Sequence, residues 1–217
     1  MKRRSYVYPD AGIFIFSKAP APGVAKTRLI PELGEQGAAA FSARLTRHIV
    51  SAIAGARLCP LQLWCDPDID HPLFAELQEK YALELKLQQG ESLGVRMARA
   101  FIEGLSTYRK VLLIGSDCPS VTPDYLEQAL ACLSRERACV LGPAEDGGYV
   151  LVGQSALNTA MFENIDWGTH RVLQQTRERL KSVGCDHVEL ATRWDVDRPE
   201  DIVRARSLMD AAGTSLS

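Results

Sequence analysis

Seven short apolar runs separated by amphipathic stretches constrain this chain more than any other feature of its sequence. The runs are "GIFIF" (12–16), "LQLWC" (61–65), "LELKL" (83–87), "KVLLIG" (110–115), "ACVLG" (138–142), "YVLVG" (149–153) and "HVEL" (187–190). Between them, Ala38, Phe41, Leu45, Ile49 and Ile53 recur at helical spacing, as do Leu93, Met97, Phe101 and Leu105. "TPDYLEQALACLSRE" opens with Thr122 as N-cap and Pro123 at the first helical position. "THRVLQQTRERLKSVG", with Thr169 as N-cap, and "PEDIVRARSLMDAAG" supply two further helices. Strand–helix alternation of this kind predicts an α/β domain with a mixed, mostly parallel sheet flanked by helices. "YVLVG" is the exception. It follows "ACVLG" too closely for a crossover helix, so it is expected to run antiparallel.

The 217 residues show no repeat, no low-complexity linker and no internal boundary, which predicts a single domain with its core at about 12–205. Loose ends are expected at 1–10 and 213–217. A formal net charge of -2 gives no support to a nucleic-acid binder. No apolar run is long enough to span a membrane, and the one near the N-terminus is too short for a signal peptide, so the expected location is cytoplasmic. The six cysteines form no C-x-x-C pair and the four histidines lie far apart. Reduced thiols are therefore expected, and zinc is not. A homodimer is compatible with the sequence, symmetric dimers being the commonest assembly.

In open α/β sheets, ligands bind beyond the carboxyl ends of the strands. Four polar loops of this chain fall there: "SKAPAPGVAKTRL" (17–29), "SDCPS" (116–120), "PAEDGG" (143–148) and "RWDVDRPED" (193–201). The first is not a Walker loop, because Pro20 and Ala25 stand where that motif needs glycine. It is either a solvated basic turn or a stiff phosphate site, with Gly23 permitting close backbone approach and Lys18, Lys26 and Arg28 available for pairing. Asp117, ending an apolar strand, is either a turn residue before Pro119 or a ligand for Mg²⁺ or Mn²⁺. Asp146 with Gly147 and Gly148 makes either a tight turn or a place where a substrate hydroxyl is held. Asp195 and Asp197, two apart, share one side of an extended chain, which suits a metal ligand; equally, Asp197 can belong to a helix N-terminus. Trp167 is either core packing or a stacking platform. Gly94 and Arg96 lie at a strand-to-helix turn, where Arg96 either meets an anion or is simply exposed.

Taken in order, "FSKAPAPGVAKTRL", "QQGESLGVRM", "LLIGSDCPS", "LGPAEDGGYVLVG", "DWGT" and "DVDRPEDI" resemble the bacterial family DUF2064, whose members are described as glycosyltransferase-like proteins of the nucleotide-diphospho-sugar transferase fold. More distantly the chain is similar to 2-phospho-lactate and molybdenum-cofactor guanylyltransferases. The resemblance implies a GT-A-like domain, a nucleotide or nucleotide-sugar donor, a small-molecule acceptor and a divalent metal. It places the donor phosphates on Lys18, Gly23, Lys26, Thr27 and Arg28, and the metal on Asp117 with Asp197, Asp195 being the alternative.

The expected protein is a Mg²⁺-dependent transferase. Lys26, Arg28 and Asp117 serve the reacting phosphates, and Asp146 orients the acceptor. Gly94, Arg96 and Ser116 fall on the donor side; Gly147, Gly148, Trp167 and Thr169 fall on the acceptor side. Glycosyl transfer is the first expectation and nucleotidyl transfer, releasing pyrophosphate, the alternative. A non-catalytic nucleotide-binding protein is the third.

Overall fold

The structure is a computed structural model describing residues 6–134, 138–211 and 213. Its strands are β1 (Ala11–Lys18), β2 (Leu61–Asp66), β3 (Glu84–Leu87), β4 (Lys110–Gly115), β5 (Cys139–Pro143), β6 (Tyr149–Gln154) and β7 (His187–Glu189). They form one sheet in the spatial order β3-β2-β1-β4-β6-β5-β7. The β6 strand runs antiparallel to β4 and β5, and every other pairing is parallel. The antiparallel excursion read from "YVLVG" is therefore present.

The helices are α1 (Ile30–Ala56), α2 (Pro72–Tyr81), α3 (Leu93–Thr107), α4 (Pro123–Cys132), α5 (Val172–Ser182) and α6 (Asp201–Ala211). Alternation along the central strands sorts the core into two layers. Ile13, Ile15, Leu112 and Ile114 pack with Ile49, Phe74 and Leu126, from α1, α2 and α4. Phe14, Phe16, Val111 and Leu113 face the other way, onto Met97, Phe101 and Leu173 of α3 and α5. A side-chain period of two on a sheet covered on both faces produces this division.

A third cluster joins Trp194, Val196 and Ile202 to Phe41 and Leu45 of α1. It anchors the C-terminal segment near the site.

Several local expectations hold. Thr122 caps α4 by accepting from Tyr125 N, with Pro123 in the first turn. Others are corrected. Thr169 is not the cap of α5: that position is Arg171, while Thr169 Oγ1 closes a turn by donating to the Asp166 carbonyl. The α2 helix was not anticipated, although Pro72 at its first position and Leu73, Phe74 and Leu77 on one face are its signature. Of the end expected to be loose, residues 7–10 are tied down: Val7 and Tyr8 donate to the carbonyls of Arg57 and Leu58, and the Asp10 carbonyl accepts from Arg109 N. Residues 1–5 and 214–217 lie outside the described residues.

The topology fixes where a ligand can sit. From β1 the chain moves outward through β2 and β3, then returns to place β4 on the other side of β1. The reversal lies between β1 and β4, and the loops leaving their carboxyl ends part there to open a crevice.

Candidate active site

The loop after β1 enters this crevice through a short helical turn, Thr27–Leu29. Lys26, just before it, adopts the left-handed conformation at φ 50°. A lysine in that region costs on the order of 1 kcal/mol and persists only where its surroundings hold it. Here they do. Its Nζ donates to Asp117 Oδ2 at 2.7 Å and to the Val196 carbonyl, so one ammonium ties the loops after β1 and β4 to the C-terminal segment. Burial opposes ionisation of both partners, but their attraction and hydrogen bond prevail. Asp117 is held below the usual carboxylate range and Lys26 above the usual ammonium range. Arg28, more exposed, forms a second ion pair with Asp197.

Trp194 and Val196 are buried, so the intervening Asp195 and the following Asp197 turn toward the crevice, as alternation in an extended segment requires. Asp201, in the first turn of α6, accepts from the backbone N–H groups of Asp197 (3.0 Å) and Arg198 (2.7 Å). Arg204 lies 4.2 Å from the Trp194 ring centre and also pairs with Glu145, which pins this segment to the loop after β5. Burial, reinforced by the charges of Asp117 and Asp146, raises the Asp195 carboxyl to about 7.

Two cavities meet at Asp117, Asp197 and Arg28. One, of about 410 Å³, is lined by Lys18, Lys26, Thr27, Arg28 and Ser116. The other, of about 300 Å³, takes Asp146, Gly148, Trp167, Thr169 and Asp195, with Phe16, Leu93 and Met97 among its apolar walls. All four polar loops singled out in the sequence contribute to this pair of cavities. Neither face of Asp146 is idle. Its Oδ1 accepts from Gly148 N at 2.8 Å, closing the turn, while the residue lines the second cavity.

Other residues named from the sequence lie elsewhere. Arg96 reaches neither cavity. It binds Asp66 Oδ1 at 2.9 Å and the Gly90 carbonyl at 3.0 Å, locking the end of β2 to the loop before α3. Gly94 is a packing residue, because a Cβ there would stand 2.7 Å from the Phe162 carbonyl and 2.8 Å from Trp167 Nε1. Gly147, at φ 90°, brings its turn against the His170 backbone and is absent from the cavity walls. Gly23, at φ 74°, shapes the first loop without lining either cavity. Leu93, at helical spacing with Met97 and Phe101 as expected, is 44% exposed and forms cavity wall. Cys118, beside Asp117, is buried, and burial with the neighbouring carboxylates pushes its thiol well up, disfavouring the thiolate.

Among the described residues, no group of three or more His, Cys, Asp or Glu side chains is arranged to hold a metal by itself. The donors facing the crevice are carboxylate oxygens, which suit a hard cation. Mg²⁺ is commonly held by one or two carboxylates with substrate phosphates completing its shell. Asp117 with Asp197 or Asp195 fits that pattern.

The sequence profile of the family described as "Uncharacterized protein conserved in bacteria (DUF2064)" matches residues 33–169. No curated protein matches the chain. Among solved structures, the chain is similar to a candidate nucleotide-diphospho-sugar transferase of Desulfovibrio desulfuricans G20. The identity is 26% and the TM-score 0.82, over 94% of this chain and 96% of that one. A CMP:2-keto-3-deoxy-manno-octonic acid synthetase complexed with CTP is 10% identical at TM-score 0.62, covering 94% and 99%. A cytidylyltransferase of Leptospira borgpetersenii serovar Hardjo-bovis is 10% identical at TM-score 0.60, covering 97% and 89%. The last two share the fold, and the GT-A-like architecture implied by the sequence motifs is the one observed. No helix among the described residues is long and apolar enough to cross a membrane.

Proposed function

Since the chain belongs to the bacterial DUF2064 family, we propose that it is a transferase acting on a nucleotide-activated donor, in the first place a glycosyltransferase using a nucleotide sugar. The apposition of Lys26 and Arg28 with Asp117 and Asp197 at the β1–β4 switch point carries this reading. A basic loop and a carboxylate pair facing one crevice are what a diphosphate and its cation require. The similarity to the Desulfovibrio protein supports a nucleotide sugar as donor.

The donor diphosphate rests in the basic cavity, where Lys18, Lys26 and Arg28 pair with its oxygens. Asp117 and Asp197, or Asp195, would hold a divalent cation, which would stabilise the negative charge developing on the leaving phosphates. The acceptor lies in the adjoining cavity, with its hydroxyl on the free Oδ2 of Asp146. The acceptor's hydroxyl oxygen attacks the anomeric carbon as the bond from this carbon to the β-phosphate oxygen breaks. The nucleoside diphosphate leaves, and the hydroxyl proton passes to Asp146. Positioning and preorganised charge supply the catalysis, so no protein nucleophile is needed.

Thermal shift with nucleoside diphosphates and nucleotide sugars, with and without Mg²⁺, tests the donor site. Metal-dependent stabilisation is expected, and it should weaken in Arg28→Ala without unfolding. No stabilisation by any nucleotide would refute the reading. Product identification then separates the two chemistries: released nucleoside diphosphate marks glycosyl transfer, and released pyrophosphate marks nucleotidyl transfer.

A further inference from the structure

The two cavities differ in charge, and the difference bears on the acceptor. The basic cavity gathers Lys18, Lys26 and Arg28 against the two carboxylates it shares with the other chamber, Asp117 and Asp197. The neighbouring chamber is faced by four carboxylates, of which Asp117 pairs with Lys26 and Asp197 with Arg28, leaving Asp146 and Asp195 without a cation of their own, the latter with its carboxyl raised to about 7. Two like charges 4 Å apart repel by about 4 kcal/mol at the effective dielectric of a protein surface. A cation shared by Asp117 and Asp197 would still leave Asp146 facing the acceptor, with Asp195 partly protonated near neutral pH beside it. A phosphate or carboxylate on that molecule would meet Asp146, while the nearby cations, Lys26 and Arg28, are already engaged by Asp117 and Asp197.

The remaining walls are largely apolar. Leu93 and Met97, one turn apart on α3, stand beside Trp167. Trp167 meets Tyr149 edge-on at 6.4 Å, and Gly94 lets the helix close against it. A chamber of about 300 Å³ lined in this way matches the small end of ligand pockets, apolar with a few convergent polar groups.

We propose that the acceptor is an uncharged or cationic alcohol with a compact apolar body, seated against Leu93, Met97 and Trp167 with its hydroxyl at Asp146, and that phosphorylated acceptors are excluded. This rests on the transferase reading for the word acceptor. The chamber's preference is measurable without any donor.

The test titrates the full chain with four probes by ligand-observed NMR: 2-phenylethanol, 2-phenylethylamine, 2-phenylethyl phosphate and D-glucose. The alcohol and the amine should each bind at least about fivefold more tightly than the phosphate ester and the sugar, a difference of roughly 1 kcal/mol. Leu93→Glu should keep its fold, because an acidic residue in the first turn of α3 suits the helix dipole, yet weaken the alcohol by about fivefold or more. Asp146→Asn combined with Asp195→Asn should narrow the discrimination against the phosphate ester. Equal or tighter binding of the ester or glucose, an unchanged affinity in Leu93→Glu, or no binding by any probe would overturn the proposal. Nucleotide binding read through Arg28→Ala fails or succeeds independently, so the two readings are separable.

Discussion

Lys26 Nζ lies 2.7 Å from Asp117 Oδ2, across the point where the sheet reverses its strand order. The same ammonium reaches the Val196 carbonyl, so a single side chain joins three loops that are far apart in sequence. Its left-handed backbone, at φ 50°, accompanies the arrangement and is held by these contacts. In the free protein this ammonium neutralises the carboxylate that a cation would use. On the proposed reading, a bound cation would exchange one positive partner of Asp117 for another.

Lys26→Met leaves Asp117 without its partner. The pair stabilises the fold where both groups are charged. Asp117, held below its ordinary value, contributes above the unfolded carboxylate range and loses that contribution as pH falls through its folded value. Lys26, held above its ordinary value, contributes below the unfolded ammonium range and loses that as pH rises through its folded value. Urea denaturation should therefore show a loss of about 1–2 kcal/mol at neutral pH, below the usual cost of a broken buried pair because Asp117 keeps some access to water. The loss should shrink in acid, below the unfolded carboxylate range. A loss independent of pH would argue for packing and not charge.

Asp195 behaves in the opposite sense. Its folded carboxyl is raised to about 7 from an ordinary value of 3.8. The neutral form is favoured in the fold, so its contribution is full below the unfolded value and is lost as pH rises toward 7. Asp195→Asn removes that penalty. The variant should be more stable than the parent at pH 8, on the order of 1–3 kcal/mol, and the advantage should vanish near pH 3. Thermal melts across this range provide the check, and a variant less stable at pH 8 would contradict the assignment.

How far the site could be read in advance followed the range of the interactions involved. Strand β4 ends where "KVLLIG" ends because its apolar run is fully buried and bounded by polar residues. Asp195 and Asp197 could be placed on one side because alternation is a local property, and Trp194 and Val196 supply the buried counterpart. Arg96 could not be assigned, since its partner Asp66 belongs to another strand and nothing near either residue announces the pairing. The Val196 carbonyl was equally invisible, being a backbone acceptor chosen by tertiary geometry. Leu93 continues the apolar spacing of α3, but at that end of the helix the spacing faces a cavity, which the period alone does not tell.

Gly94→Ala tests the wall behind that cavity. Alanine is the better helix former by up to about 1 kcal/mol, which would stabilise α3 if space allowed. The added methyl, however, would stand 2.7 Å from a backbone carbonyl that cannot easily yield. Overpacking of this kind costs about 1–3 kcal/mol, so a net loss near 1 kcal/mol is expected. Tryptophan fluorescence should shift with it, because Trp167 is the second group in the way, and a Trp167→Phe background should abolish the shift. A more stable alanine variant would show that the approach is looser than described.

Asp201 offers the most direct test of whether the C-terminal segment is held for function. Its Oδ2 accepts from Asp197 N and Arg198 N, and so fixes the backbone from which Asp197 meets Arg28. Asp201→Ala frees two donors at the start of α6 and should cost about 1 kcal/mol of stability, as lost helix-end acceptors do. A purely structural role would end there. If the segment positions Asp197, Mg²⁺-dependent nucleotide stabilisation should also weaken by several fold, while nucleotide binding without metal changes little. Asp201→Asn retains an oxygen able to accept from both N–H groups and should restore most of the metal dependence. Equal metal dependence in the alanine variant and the parent would separate Asp201 from the site and leave it only a role in helix α6.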